Sequence, residues 1–234
     1  MSGSLARIDF PRPVAHVYAP HQYAWAPYVD YVTLYGTGHK RVVFLGMNPG
    51  PFGMMQTGVP FGEIAAVRDW LKLSGAIKPP TQQHPKRPIE GFACARSEVS
   101  GRRLWGWAAV RFGTATEFFR ECFVLNYCPL VFLEESGRNF TPDKLPAGAR
   151  DLLYLTCDQH LAAAITALEP HWLIGIGTFA RHRASAVLTS GLVAPSLAKR
   201  VQVATVLHPS PASPLANRGW AAAVDKQLST LEVF

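Results

Sequence analysis

Four short runs in this chain are apolar at nearly every position rather than at every second one. They are RVVFLGMN (41–48), CFVLNYCP (122–129), HWLIGIG (171–177) and VQVATVLHP (201–209). A strand that is apolar on both sides needs cover on both sides. That excludes an open meander with one wet face and points to a parallel sheet buried between helices. The intervening sequence supplies the helices. EIAAVRDWLKLSG (63–75) carries apolar residues at helical spacing and stops at a glycine. SEVSGRRLWGWAAVRFG (97–113) opens on a capping-box-like Ser97–Glu98 and ends at Gly113. Residues 146–170 form a long helical pattern closed by Pro170, and 179–191 and 215–234 complete the set. Strand alternating with helix gives a three-layer α/β/α sandwich around a four-stranded, mainly parallel sheet. One domain is expected over 1–234, with residues 1–21 as an N-terminal extension and 76–96 as an irregular basic loop. A loop of that length inside a compact domain is usually functional, or else a surface excursion held by its prolines.

In open α/β sheets, ligands bind beyond the carboxyl ends of the strands. The polar residues of the four runs fall there. Asn48 follows the first run and leads into Pro-Gly-Pro, Asn126 closes the second, and His208-Pro-Ser-Pro follows the fourth. Each has a structural use as well: an Asx turn for Asn48, backbone satisfaction for Asn126, a core position for His208. Their shared placement on one rim argues for a site. No serine or cysteine nucleophile with a partnered base stands there, and no paired carboxylates do, which disfavours ordinary glycosidase chemistry. GMNPGPFG is not followed by the Gly-Lys-Ser/Thr of a P-loop, and GIGTFA lacks the full dinucleotide fingerprint. Backbone N–H groups in either could still meet a phosphate.

Charge narrows the partner. The formal net charge is +7 over 234 residues, so a polyanion is a plausible partner, as is simple surface charge. No apolar run approaches the ~18 residues of a membrane helix, and MSGSLARIDF lacks the apolar centre of a signal peptide. The expectation is a protein without membrane attachment, inside the cell. Four cysteines at 94, 122, 128 and 157 contain no CxxC pair, which argues against a zinc or iron–sulfur knuckle. Cys122 and Cys128 read as core thiols.

GMNPGPFGMMQTGVPFG (46–62) followed by EIAAVRDWL, and later HPSPASP, resembles the single-strand-selective monofunctional uracil-DNA glycosylases of the uracil-DNA glycosylase superfamily. HPKRP, SEVSGRRLWGW, NYCPLVFLEESGRN and LANRGW carry the likeness over nearly the whole chain. The resemblance implies a monofunctional glycosylase of base excision repair. It would flip uracil, or an oxidised uracil such as 5-hydroxymethyluracil, out of single- or double-stranded DNA and leave an abasic site. Related readings are a wider scope that includes xanthine and hypoxanthine, or a non-catalytic binder of damaged DNA. No cofactor and no metal are implied, and a monomer is expected. Alanine-rich helices suggest a bacterial cytoplasm or nucleoid.

The resemblance also distributes roles. Asn48 would hold the water and His208 would stabilise the departing base. Asn126 would read the base edge and Phe61 would stack on it, unless that ring is simply core packing. Met47, Gly50, Pro51 and Phe52 would line the pocket. Lys86 and Arg87 of HPKRP would meet the DNA backbone, or stand as solvated loop charge. Ser210, Pro211, Ala212 and Ser213, with Asn217 and Arg218 beyond them, would press on the DNA. Here the chain departs from the vertebrate pattern: Ala212 and Ser213 stand where an arginine-asparagine pair usually lies between the prolines. The large wedge is therefore missing, so duplex penetration would be weaker or would rely on Leu215, Asn217 or Arg218.

Overall fold

The computed structural model describes residues 2–234. The four apolar runs pair side by side in the order β3 (Cys122–Asn126), β2 (Val42–Gly46), β6 (Trp172–Ile176), β7 (Gln202–Val206), and every pairing is parallel. Each strand is five residues long, shorter than its apolar run. Asn48 and His208 thus lie two residues off the sheet rather than on it. That placement frees their backbones to turn.

Helices cover both faces, as the two-sided apolar pattern requires. On one face Phe44 of β2 packs edge-on against Trp107 of α2 (Val99–Phe112) and stacks with Phe118 of α3 (Ala115–Glu121). Successive strand residues point to opposite faces. Gly175, one residue along β6 from Ile174, accordingly lies against Ala180 and Arg181 of α5 (Thr178–Thr189), which packs on α4 (Ala147–Leu168). A last helix, α6 (Trp220–Thr230), joins the α2 side through Trp220 and Trp107.

Several expectations need correction. The expected N-terminal extension contributes a strand: β1 (His16–Tyr18) pairs antiparallel with β4 (Val131–Leu133), which pairs with β5 (Asn139–Phe140). Buried Tyr18 from β1 donates to the carbonyl of Arg87 at 2.9 Å and accepts from the N–H of His84 at 2.7 Å. Helix α1 (Trp25–Tyr35) and α3 were not expected from the sequence. The 63–75 pattern is helical over 64–70, shorter than expected: it is π-helical over Ala66–Trp70, with Lys72 at φ 56° just beyond. The 215–234 pattern breaks at Gly219, where φ is 135°, leaving a four-residue turn Pro214–Asn217 before α6.

Residues 76–96 have little regular structure, as expected, and are pinned by one side chain. Buried Gln56 accepts from the N–H groups of Glu90 (2.8 Å) and Gly91 (3.0 Å). Its amide nitrogen donates to the carbonyls of Pro88 (3.1 Å) and Pro51 (3.2 Å). All four bonds an amide can make are used. They tie the long loop to the loop that follows Asn48. Cys94, Cys122, Cys128 and Cys157 are free and buried. Among the described residues no helix is long and apolar enough to cross a membrane.

Candidate active site

The ladder between β2 and β3 continues past their ends: Tyr127 N–H donates to Gly46 at 2.9 Å and Cys128 N–H to Met47 at 2.8 Å. This extension lays Asn48 beside the 127–130 segment. Its Nδ2 points at the Leu130 carbonyl over a long 3.4 Å. The side-chain oxygen is then the group left to face a ligand or a water. Asn48 and Met47 are half-buried.

Gly46, the last residue of β2, is where Asn126 and Phe61 meet. A Cβ placed there would lie 2.2 Å from Asn126 Oδ1 and 2.6 Å from the Phe61 ring. The missing side chain therefore admits both. Asn126 is buried, and its Nδ2 has only the thioether sulfur of Met54, at 3.3 Å, which is a weak acceptor. Its Oδ1 is buried with no partner. Leaving such an acceptor unpaired costs about 1–3 kcal/mol, and native proteins rarely do so without a use. Phe61 is strained as well: its φ is 52°, in a region bulky residues avoid at a cost of roughly 1–3 kcal/mol. The Trp105 indole holds it there by donating to the Phe61 carbonyl at 2.9 Å.

His208 completes the rim. Its ring centre is 6.5 Å from that of Phe61, and it sits over Gly177, whose φ of 92° turns the chain out of β6. Burial lowers its pKa below the usual value, so the imidazole is neutral near pH 7. In the following segment Ser210 Oγ accepts from Ala212 N–H at 3.1 Å, and Ser213 Oγ caps the Pro214–Asn217 turn through Ala216 N–H at 3.3 Å. Leu215 projects 61% exposed, and Pro211, Ala212 and Arg218 are exposed too. Asn217 spends its amide within the protein, accepting from Arg103 at 2.8 Å and donating to the Pro211 carbonyl at 2.9 Å. It braces this loop while remaining exposed at the surface.

The rest of the expected set surrounds the core of the site. Gly50 and Pro51 lie in the loop behind Asn48, against Glu98 and Gln56. Phe52 is flanked by two guanidinium groups, Arg96 at 3.9 Å and Arg87 at 5.3 Å from its ring centre. Lys86 is exposed, but Arg87 is half-buried with its Nε unpartnered.

A family model for the uracil DNA glycosylase superfamily matches residues 33–227. The chain belongs to that superfamily. It is 48% identical to the single-strand selective monofunctional uracil-DNA glycosylases of Rattus norvegicus and Mus musculus, over 99% of this chain and 81% of theirs. The Bos taurus protein of that name is equally similar over 83% of its length. The crystal structure of Pedobacter heparinus SMUG2 shares the fold, with a TM-score of 0.69 over 96% of this chain and 90% of that one at 17% identity.

Against that family background, one residue stands out that the sequence pattern misassigns. Glu98 occupies the N-cap position of α2 but makes no side-chain capping bond. Its carboxyl turns inward and fills the space left by two glycines, its oxygens 1.6 Å and 2.0 Å from where Cβ atoms at Gly50 and Gly53 would be. Oε2 is buried without a partner. Burial first, and the Glu63 carboxylate second, push its pKa up to about 7. A raised carboxyl pKa stabilises the fold below the ordinary carboxyl range, and that contribution is lost as pH rises through about 7. Glu98→Gln mimics the neutral form. Between about pH 4 and about pH 8.5 its stability should shift by about 3 kcal/mol in its favour relative to the parent, read by denaturant melts.

Proposed function

We propose that this chain is a monofunctional uracil-DNA glycosylase that excises uracil and oxidised uracil, such as 5-hydroxymethyluracil, from single- and double-stranded DNA. The observation that carries the reading is the orphaned Asn126 Oδ1, held beside the Phe61 ring over the bare Gly46. Uracil offers an N3–H donor and an O4 acceptor. The N3–H supplies the bond that Oδ1 lacks, and O4 takes Nδ2 in place of the Met54 sulfur. Cytosine reverses both groups and leaves the amide mismatched, which discriminates strongly in a buried site.

The chemistry then runs between the two remaining side chains. The bond from the sugar to uracil N1 breaks with its electron pair going to the base. Positive charge develops on the sugar and negative charge on the ring, spread to O2. His208, neutral and donating one ring N–H, meets that oxygen as the charge forms. Asn48 Oδ1 accepts from a water whose oxygen bonds to the sugar carbon. The water's proton passes to solvent or to the base, which leaves as uracil, and the abasic sugar remains in an unbroken strand. An amide orients water without being a strong base, and a sugar cation needs no stronger nucleophile. The base reaches this site by leaving the stack. Lys86 and the exposed 210–218 loop meet the phosphates, giving salt-dependent binding. The protein acts on DNA as a monomer.

A substrate panel tests the reading. With excess enzyme at low salt, oligonucleotides bearing uracil or 5-hydroxymethyluracil should yield alkali-labile breaks at that base, single-stranded or duplex. Xanthine and hypoxanthine offer Asn126 the same donor–acceptor pair through N1–H and O6, so their rates relative to uracil fix the scope of the pocket. Faster xanthine release than uracil release would reassign the substrate. No release from any uracil strand would end the proposal.

A further inference from the structure

The stretch SEVSGRRLW has no part in the chemistry above, yet the start of α2 touches the segments of Asn48, Phe61 and His208. Gly101 lies so close to Phe61 that a Cβ there would be 2.1 Å from its carbonyl oxygen, and Trp105 holds the same carbonyl. Glu98 fills the loop behind Asn48. On the other side, Arg103 Nη1 donates to two successive carbonyls, Pro209 at 3.0 Å and Ser210 at 3.2 Å. Its Nη2 donates to Asn217 Oδ1 at 2.8 Å, and Ser100 Oγ adds a long bond to Pro209 at 3.4 Å.

We propose that Arg103 is a positioning residue for base excision, fixing the His208 loop in register with the Asn48 and Phe61 segments through α2. The inference rests on the role given to His208 above. His208 has left β7 and is followed by a proline, which has no N–H to tie the chain down. Its neighbours take over. Leu207 is held on one side by Gln227 (2.9 Å) and Trp220 (2.6 Å), and Pro209 on the other by Arg103. Without the guanidinium the second anchor is lost and the imidazole is free to drift from the base oxygen. A drift of about 1 Å can cost about 100-fold in rate. Arginine suits the task because its rigid fork meets several acceptors at once. Lysine offers a single nitrogen on a flexible stem.

A half-buried arginine beside a DNA-facing loop has an obvious competing use as a phosphate contact, and the experiment separates the two. Cleavage by the wild-type protein is the control: if it cleaves no uracil strand, the function itself is wrong and Arg103 is not at issue. Given cleavage, Arg103→Ala should lower the single-turnover rate at saturating enzyme by about 10- to 100-fold. Affinity for a strand carrying non-cleavable 2′-fluoro-deoxyuridine should stay within about threefold, with the salt slope of binding unchanged. Arg103→Lys should recover part of the rate. Weaker binding with a salt slope reduced by about one and an intact rate would make Arg103 a phosphate contact and overturn the proposal. Equal rates in wild type and Arg103→Ala would do so too. If Arg103→Ala does not fold, Arg103→Lys carries the test alone. Its rate should fall about three- to tenfold at constant salt slope, and an unchanged rate refutes the inference.

Discussion

Replacing His208 by alanine should lower single-turnover cleavage of a uracil-containing strand by about 10²–10³-fold while leaving binding of that strand within about threefold. The asymmetry follows from when the bond is needed. Before reaction, uracil O2 is an ordinary carbonyl, and one more donor adds little. As the bond to the sugar breaks, O2 takes up negative charge in a site where the Phe61 and Asn126 walls exclude water, and the donor matters most. The imidazole is neutral, because burial lowers its pKa. Activity should therefore hold steady from about pH 7 to about pH 8.5, with no loss from titrating an imidazolium. The same depression has a stability consequence of fixed sign. A histidine buried neutral contributes stability above its ordinary pKa of 6.5, lost as pH falls through its lower folded value. Equal losses in cleavage and binding would instead assign His208 to DNA binding.

Gly46→Ala should be nearly as damaging without replacing any side chain proposed to meet substrate. The new methyl would sit 2.2 Å from Asn126 Oδ1 and 2.6 Å from the Phe61 ring, so one or both must move. Both belong to buried, packed surroundings, and overpacking there costs about 1–3 kcal/mol of stability. The larger effect is on function. The amide proposed to read the base and the ring proposed to stack on it are displaced together, and kcat/KM should fall by about 100-fold or more. Circular dichroism melts beside the rate separate the two. A folded variant with wild-type kcat/KM would show that Gly46 is not the floor of the base pocket.

The sheet was legible because burial on both faces is written as contiguous apolar residues. Strand 42–46 and its neighbours 122–126 and 172–176 have no polar residue until the rim, while the edge strand 202–206 carries Gln202 and Thr205. The same economy exposed Asn48, Asn126 and His208, since a polar residue at the end of such a run is conspicuous. The second sheet left no such trace. Strands of two or three residues, such as Asn139–Phe140, are too short to show a period. The partners of Tyr18 lie at residues 84 and 87, far along the chain. The 63–75 helix was over-read only at its end, because the helical stretch 64–70 widens into a π-helix and stops before Lys72. Glu98 shows the limit most plainly. Ser97–Glu98 before an apolar run reads as a cap, and only the fold reveals two glycines opened to receive the carboxyl. Gly50 and Gly53, three apart in a loop, were the available signal. Arg103 and Gln56 left none, because most of the groups they hold lie far along the chain.

The central claim is that a uracil base is read by Asn126 and released between Asn48 and His208. Its most direct test is single-turnover release of labelled uracil from a single-stranded oligonucleotide, by wild type and by the Asn48→Ala/His208→Ala double variant. The account expects one free uracil per strand from wild type, with the backbone intact until alkali is added. It expects only background release from a double variant that still melts cooperatively. Absence of uracil release by wild type, or a folded double variant within about tenfold of its rate, would contradict it.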